Sequence, residues 1–112
     1  MRNDFMELIP NCEISQHALD RIRKHSQLLR NRGINENVIM NAIRSVCNNP
    51  GFYDREEPGN NKRYICFNIP QGFYLIIVFT IVQSIVRIIT VILTDKSRDT
   101  LKKCGLSYNL PS

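Results

Sequence analysis

The sequence lacks the residue spacings that a metal site needs. Its four cysteines are Cys12, Cys47, Cys66 and Cys104, with no pair at a CxxC spacing, and the two histidines supply no matching pair of ligands. Zinc sites in proteins are built from such closely spaced cysteine and histidine ligands. We therefore expect neither a metal nor another cofactor in this protein.

The first residues also lack the apolar run of a secretory signal peptide, since residues 1–7 read MRNDFME. Without an export signal, a cytoplasmic location and reduced cysteines are the expectation. Cys47 falls in an apolar helical pattern and Cys66 in a strand pattern. A thiol in either place most often fills space in the core.

The charge is only moderately unbalanced. Fifteen Lys and Arg against ten Asp and Glu give a net charge of +5. Apolar residues make up 43% of the chain and charged residues 22%, which is typical of a folded protein and not of a disordered one. We predict a single domain over residues 1–112, with its core at about 14–104. Its basic character is compatible with RNA or an acidic protein as partner.

Residues 73–94 form an apolar stretch about long enough to span a bilayer as a helix. Gln83 and Ser84 interrupt its middle, Arg87 follows, and β-branched residues crowd the rest. A charge near the bilayer centre costs about 2.5–3.5 kcal/mol, and β-branched residues favour strands. We therefore predict two strands, Phe73–Val82 and 85–94, and no membrane partner. Both are apolar on both faces, which is typical of central strands.

Apolar residues at helical spacing predict two helices before these strands. The first has Ser15 as its N-cap and ends before Gly33, because glycine readily takes the positive φ found at a helix end. Its core stripe is Ile14, Ala18, Ile22 and Leu29. The second is capped by Asn35 and buries Val38, Ile39, Ala42, Ile43 and Val46.

After residue 51 the apolar residues no longer recur at helical spacing and follow the alternation typical of strands. A short strand at 52–54 and a longer one at 62–69 are expected before the apolar pair, and a short helix at 97–104 after it. This order predicts an α+β fold, with two N-terminal helices packed on a four-stranded antiparallel sheet and a short C-terminal helix.

An ordered series of short motifs runs along the chain. The series is His-Ala-Leu-Asp-Arg at 17–21, Arg-Gly-Ile at 32–34, Asn-Pro at 49–50, Arg-Tyr at 63–64 and Val-Arg-Ile-Ile-Thr-Val at 86–91. It resembles the small HAxxR-type domains related to RelE and BrnT toxins, within the barnase/EndoU/colicin/RelE group of ribonuclease folds. The resemblance implies cleavage of RNA without a metal, and a cognate antitoxin protein that covers the active face.

The resemblance also implies a set of catalytic positions, which are His17, Arg21, Arg63 and Thr90. His17 and Arg21 lie one helical turn apart, so a side chain that moves protons near neutral pH adjoins a permanent cation. Metal-independent cleavage uses the neighbouring 2′-hydroxyl as nucleophile, so the protein must move protons and stabilise charge on phosphorus. His17 would be the acid or base, and the two arginines would hold the phosphate. The alternative for His17 is a helix-edge histidine that contacts the sheet or water.

Candidate RNA-binding residues are Lys62, Tyr64, Arg87, Arg98 and Lys102. Tyr64 can stack on a base, although an aromatic residue in a strand more often lies in the core. The cations near the C-terminus are typical of a solvated helix face and support RNA binding only weakly. His25, one turn beyond Arg21, is expected at the surface.

Arg87 is an isolated charge among aliphatic residues. Such a charge needs an acidic partner or an open cleft that leads to a phosphate. The candidate partners are Glu7, Asp20 and Asp54. Strand alternation puts Thr90 on the opposite face from Arg87, which predicts that the two do not share a site.

Two functions remain open for a soluble protein, beside the alternative of a small membrane-anchored protein, which fractionation would distinguish. One is a metal-independent endoribonuclease that acts as the toxin of a toxin–antitoxin pair. The other is a non-catalytic module on the same fold that binds RNA or a protein. If the strand Phe73–Val82 lies at an edge of the sheet, it would also pair with a second copy or with an antitoxin strand.

Overall fold

The computed structural model of the chain describes residues 11–95, which form five strands and two helices. In chain order they are β1 (Cys12–Ile14), α1 (Gln16–Asn31), α2 (Asn37–Asn48), β2 (Arg55–Glu56), β3 (Arg63–Ile69), β4 (Phe73–Val82) and β5 (Ile85–Asp95). A single 3-10 turn, Pro70–Gly72, joins β3 to β4. The helix predicted at 97–104 lies outside the described residues.

The strands form one mixed sheet in the order β1-β5-β4-β3-β2. Strands β2 to β5 pair antiparallel, whereas β1 runs parallel to β5. The predicted α+β class with two helices is confirmed, but the prediction of a four-stranded antiparallel sheet is wrong. The extra strand was missed because Ile14 lies four residues before Ala18 and fits a helical stripe equally well. Three residues are too few to show the alternation of a strand.

The helix ends follow local side-chain chemistry. Ser15 is the N-cap of α1, since its Oγ accepts a hydrogen bond from the Ala18 N–H at 3.0 Å. Gly33, just past the end of α1, has a φ of +71°, as predicted for a glycine at this position. The N-cap of α2 is Glu36 and not the predicted Asn35, although Asn35 Oδ1 accepts from the Asn37 N–H at 2.9 Å and so satisfies a donor in the first turn.

The main core lies between the helices and one face of the sheet, which we call the helix face. Both predicted apolar stripes are buried there, except that Val38 is only partly buried. The central residues of this core are Ala18, Ile22, Leu29, Ile39, Ile43, Val46, Leu75, Ile77, Phe79, Ile88 and Val91. We call the opposite face of the sheet the second face.

The apolar stretch folds as a hairpin, as predicted. Strands β4 and β5 pair along their length and turn at Gln83 and Ser84, which have φ values of +50° and +66°. A two-residue turn with positive φ at both central residues has a backbone twist that matches the right-handed twist of the two strands it joins. Among residues 11–95, no helix is long and apolar enough to cross a membrane.

Strand β4 occupies the middle of the sheet, with β5 and β3 on either side. This confirms the central position predicted from its apolar faces. The condition for an added strand at Phe73–Val82 is therefore not met, and neither a second copy nor an antitoxin strand can pair there.

Cys12 and Cys47 are disulfide-bonded, with their Cα atoms 5.9 Å apart. The bond joins β1 to the last turn of α2. The expectation of reduced cysteines is therefore wrong for this pair. The two residues lie 35 positions apart in sequence, so no local spacing reveals that they meet.

Candidate functional site

Polar and charged side chains gather where β2 pairs with β3. We call this group the hairpin cluster; its members are Tyr53, Arg55, Glu56, Glu57, Lys62, Arg63 and Tyr64. In the pairing, Arg55 is opposite Tyr64, and Glu56 is opposite Arg63. Directly opposed residues of an antiparallel pair point to the same face. The cluster therefore has two sides, one on each face of the sheet.

Arg63 belongs to the helix-face side, since it is opposite Phe79 of the main core. Its Nε is 3.1 Å from Glu56 Oε2, and its Nη1 donates to the Pro50 carbonyl at 2.9 Å. The guanidinium carbon also lies 4.5 Å from the centre of the Tyr53 ring. These contacts hold the loop after α2 against β3. Phosphate binding by Arg63 would have to replace some of them.

Tyr64 belongs to the second-face side, with Glu57 close to its hydroxyl. The Tyr64 O–H donates to Glu57 Oε2 at 3.3 Å, and Asn60 Nδ2 donates to the same oxygen at 3.0 Å. The Asn60 hydrogen bond, followed by that of Tyr64 and by the charges of Lys62 and Arg55, lowers the pKa of Glu57. An ionised carboxylate therefore lies beside the phenol and two cations.

A β-bulge in β5 changes which residues share the second face. Val78 is opposite Thr90, but the next residue of β4, Phe79, is opposite Ile88, so Ile89 is the extra residue. Thr80 is in turn opposite Arg87. Since Val78 and Thr80 alternate onto one face of β4, Arg87 and Thr90 lie on one face as well. The prediction that they lie on opposite faces is wrong, because a bulge shifts the alternation by one residue.

The strand register brings Thr90 and Tyr64 to the two sides of one residue of β4. Both are opposite Val78, one from β5 and one from β3, so the three residues form a row across the second face. Arg55 extends the row at its β3 end. Lys62 precedes β3 and is half-buried. Three of the predicted RNA-contacting or catalytic positions, Lys62, Tyr64 and Thr90, thus lie at one part of the sheet.

Arg87 pairs with an acidic residue that the sequence analysis did not consider. Its Nη2 is 3.2 Å from Glu13 Oε2, and Glu13 is directly opposite it on β1. More than 40% of each side chain is exposed, so the pair contributes little to stability. Arg87 also borders a surface hollow of about 270 Å³ with Glu13, Ile14 and Ser15. The partner was missed because it lies on the unpredicted strand β1.

His17 and Arg21 are exposed on α1 and are not joined to the other candidate catalytic residues. The helix packs on β5 from the helix face, whereas Thr90 points to the second face. Arg63 lies on β3, which β4 separates from β5. With neighbouring strands about 5 Å apart, Arg63 is on the order of 10 Å from β5. The four predicted catalytic positions therefore do not form one compact site.

His25 is half-buried, contrary to the expectation that it lies at the surface. Its Nε2 lies 3.1 Å from the Val91 carbonyl, which can only accept, so the ring donates. The sequence contained a signal for this burial. In a helix of about 3.6 residues per turn, a residue four positions further along is rotated by about 40° around the helix axis. The steps from His17 to Arg21 to His25 therefore drift toward the buried stripe.

Burial lowers the pKa of His25, with smaller contributions in the same direction from Arg21 and Lys24; the hydrogen bond to Val91 opposes them. The unfolded chain, with a histidine pKa of about 6.5, therefore binds the proton more readily than the folded chain. We expect this residue's contribution to stability to be fully present above about pH 6.5 and to be lost as the pH falls through the folded pKa. Urea unfolding midpoints measured from about pH 8 to about pH 5 would show the decline.

The matched control for this prediction is the other histidine, which is exposed. We expect His25→Gln to flatten the decline in unfolding midpoint below neutral pH. His17→Gln, at an exposed position of the same helix, shows what the loss of a histidine does by itself. Equal slopes in wild type and His25→Gln would contradict the assignment of the pH dependence to His25.

The remaining predicted positions, Arg98 and Lys102, lie outside the described residues. Within residues 11–95, no three His, Cys, Asp or Glu side chains are grouped so that they could hold a metal ion. No protein family, curated protein or solved structure matches the chain.

Proposed function

We propose that this protein binds single-stranded RNA through the second-face side of the hairpin cluster. The observation that supports the proposal is the placement of Arg55 with its guanidinium carbon 5.6 Å from the centre of the Tyr64 ring. Lys62, two residues before Tyr64, adds a second cation. Aromatic rings that stack on bases, flanked by cations that follow the phosphates, are how proteins bind single strands.

The charge of the whole chain supports the same partner. A net charge of +5 favours association with a polyanion, and part of the binding free energy would come from counterions released by the RNA. The proposed affinity should therefore fall steeply as the salt concentration rises.

Tyr64→Leu is expected to weaken RNA binding about 5- to 150-fold, since stacking contributes about 1–3 kcal/mol per base. Tyr64→Phe keeps the ring and loses only the hydroxyl that donates to Glu57, so it should retain most of the affinity. Binding of a fluorescent single-stranded RNA, measured by anisotropy at fixed salt, would compare the variants. Equal affinities for wild type and Tyr64→Leu would contradict a stacking role.

A second candidate function is cleavage of the bound RNA without a metal, as the resemblance to RelE- and BrnT-like toxins implies. Two observations favour it. The β-bulge brings Thr90 and Arg87 to the face of Tyr64, and Glu57 offers an ionised carboxylate at the Tyr64 hydroxyl. A carboxylate can accept the 2′-hydroxyl proton, while cations stabilise the charge on phosphorus. His17, the acid or base by resemblance, would have to act from α1.

Incubation of the full chain with total cellular RNA in EDTA tests this candidate. If the protein is an endoribonuclease, the wild type should cleave, and loss of the residue that moves the proton should slow cleavage about 10²- to 10⁴-fold. His17→Ala and Glu57→Gln are the two variants, and they separate the residue implied by resemblance from the one suggested by the geometry. Intact RNA together with retained binding by the wild type would favour the binding module.

A toxin role would add a cognate antitoxin protein and a cytoplasmic location to the proposal. An added strand fits the outer edge of β3 beyond Cys66 better than β4, because among residues 11–95 β2 pairs with Arg63 and Tyr64 and the Cys66 N–H donates to Asp54 Oδ2 at 2.8 Å. A groove of about 260 Å³ between α2 and β3, lined by Val38, Ala42 and Phe67 among others, adjoins that edge. The same edge would serve a homodimer, which sedimentation at micromolar concentration would detect.

The cytoplasmic part of the proposal conflicts with one feature of the fold. Cytoplasmic thiols are kept reduced, whereas Cys12 and Cys47 are bonded. A protein that works in the cytoplasm would therefore have this pair reduced for most of its lifetime. Alkylation of the thiols in freshly lysed cells, followed by mass spectrometry, would measure the fraction bonded.

A further inference from the structure

The excess positive charge of residues 11–95 lies on one element, helix α1. These residues include ten Lys and Arg and seven Asp and Glu. Four of the cations and one of the acids belong to α1. The rest of residues 11–95 therefore contains six of each sign and has no net charge. Long-range attraction between this part of the chain and a polyanion acts mainly at α1.

Two of the four cations on α1, Arg21 and Lys24, are exposed and unpaired. The guanidinium nitrogens of the other two lie 3.7 Å and 3.3 Å from the carboxylates of Asp20 and Glu36. Within residues 11–95, Arg21 and Lys24 make neither an ion pair nor a side-chain hydrogen bond. They are three residues apart, so they stand next to each other on one face of the helix. Both charges are therefore available to a binding partner.

This arrangement does not serve the stability of α1 itself. Like charges three residues apart repel each other and destabilise a helix. The first turn of α1 also contains no acidic residue that would favour the positive end of the helix dipole. Burial lowers the pKa of His25, and the positive charges of Arg21 and Lys24 lower it further, so their field extends along the helix. Unpaired like charges that destabilise their own helix indicate a role in binding an anion.

We infer that Arg21 and Lys24 form a second RNA-binding surface on α1, which contacts the phosphate backbone and not the bases. The inference rests on the proposed function for the identity of the polyanion as RNA, whereas the position of the surface follows from the charges. Helix α1 packs on β5 from the helix face, and Tyr64 lies on the second face. The two surfaces are thus on opposite faces of the sheet, one for stacking on bases and one for neutralising phosphates.

The exposed face of α1 suits RNA better than a membrane or a protein. The apolar side of the helix, with Ala18, Ile22 and Leu29, is buried in the main core, so it cannot insert between lipid headgroups. Of the residues of α1, Leu28 is the exposed large apolar one, at 37%. Protein interfaces have apolar and aromatic residues at their centre, whereas interfaces with nucleic acid are more polar and more positively charged.

The dependence of RNA affinity on salt tests the inference, because its slope reports how many phosphates the protein neutralises. We expect Arg21→Gln/Lys24→Gln in the full chain to reduce the slope of log affinity against log salt concentration by about 1.4. Each phosphate contact to a single strand contributes about 0.7 to this slope. Anisotropy of a fluorescent single-stranded RNA at several salt concentrations would measure it. An unchanged slope would overturn the inference.

A cation on α2 provides the matched control for charge alone. Lys24→Gln and Arg44→Gln each remove one positive charge, but Arg44 is half-buried and its Nη1 donates to Asn41 Oδ1 at 3.3 Å. We expect Lys24→Gln to reduce the slope by about 0.7 and Arg44→Gln to leave it at the wild-type value. Equal reductions would overturn the inference, because net charge and not the α1 surface would then control binding.

Tyr64→Leu separates this inference from the proposed function. Stacking releases no counterions from the phosphates, so this variant should weaken binding at every salt concentration and keep the wild-type slope. If Tyr64→Leu binds as the wild type does while the double variant loses slope, the hairpin cluster is contradicted and the α1 surface is supported. The reverse pattern overturns the α1 surface and supports the hairpin cluster.

Vesicles that contain phosphatidylserine are the probe for a different polyanion. Loss of vesicle binding in the double variant, with RNA binding unchanged, would overturn the inference in favour of an anionic lipid surface. Both side chains are exposed and unpaired among residues 11–95, so the variants should keep the urea unfolding midpoint of the wild type. If the double variant fails to fold, the comparison of Lys24→Gln with Arg44→Gln decides.

Discussion

Loss of the Cys12–Cys47 disulfide is expected to lower the free energy of unfolding by about 3–4 kcal/mol. The bond closes a loop between residues that are 35 positions apart, and in the chain-entropy model a loop of that length restricts the unfolded chain by about this amount. A typical domain is stable by only about 5–15 kcal/mol, so the bond would supply a large share of the total.

The bond also holds a weakly paired element in place. Strand β1 contributes only three residues to the sheet, and Cys12 anchors it to the end of α2. Without the bond, β1 would separate from β5 more readily, leaving part of the β5 edge open to pairing with other chains.

Urea unfolding of the wild type with and without reductant, beside a Cys12→Ser/Cys47→Ser double variant, would measure this effect. Reductant should lower the midpoint of the wild type toward that of the double variant, and should leave the double variant unchanged. An unchanged wild-type midpoint under conditions where mass spectrometry shows full reduction would contradict the prediction.

Phe79→Ala is expected to destabilise the protein by about 3–5 kcal/mol, the range found when a buried phenylalanine is truncated. Phe79 is 0% exposed and lies on the central strand β4, where the helix face meets α1 and α2. It is opposite Ile88 at the start of the β-bulge.

The chain offers a matched control for this truncation in Phe52, which is 66% exposed. Phe52→Ala removes the same atoms from a surface position and should change the free energy of unfolding by no more than about 0.5 kcal/mol. The two variants would be compared by chemical denaturation at one pH. Similar losses in both would show that burial on the helix face is not what makes Phe79 important.

The sequence predicted the helices and the long hairpin closely because their signals are local. Ser15 and Gly33 act within a few residues of the helix ends that they define. The predicted bounds of β4, Phe73–Val82, match the structure at both ends, because a polar pair ends the β-branched run at Gln83 and Ser84. The short strand expected at 52–54 instead forms at Arg55–Glu56, since its position depends on pairing with β3.

The candidate site was predicted less well, because its parts meet only across the sheet. Tyr64 and Lys62 were among the predicted RNA-binding residues, but Glu57 was not considered, since its contact with Tyr64 forms only when the hairpin closes. Thr90 was assigned to the wrong face relative to Arg87 because a bulge leaves no mark on a run of apolar residues.

The amino-acid sequence by itself determined where this chain forms helices and long strands and which sides of them are apolar, because capping and periodicity act over a few residues. The tertiary structure alone decided the parallel pairing of β1, the Cys12–Cys47 bond, the hydrogen bond of His25 to Val91 and the shared face of Tyr64, Arg87 and Thr90. Each of these joins residues that are far apart in the chain, and only the packed sheet and helices bring them together.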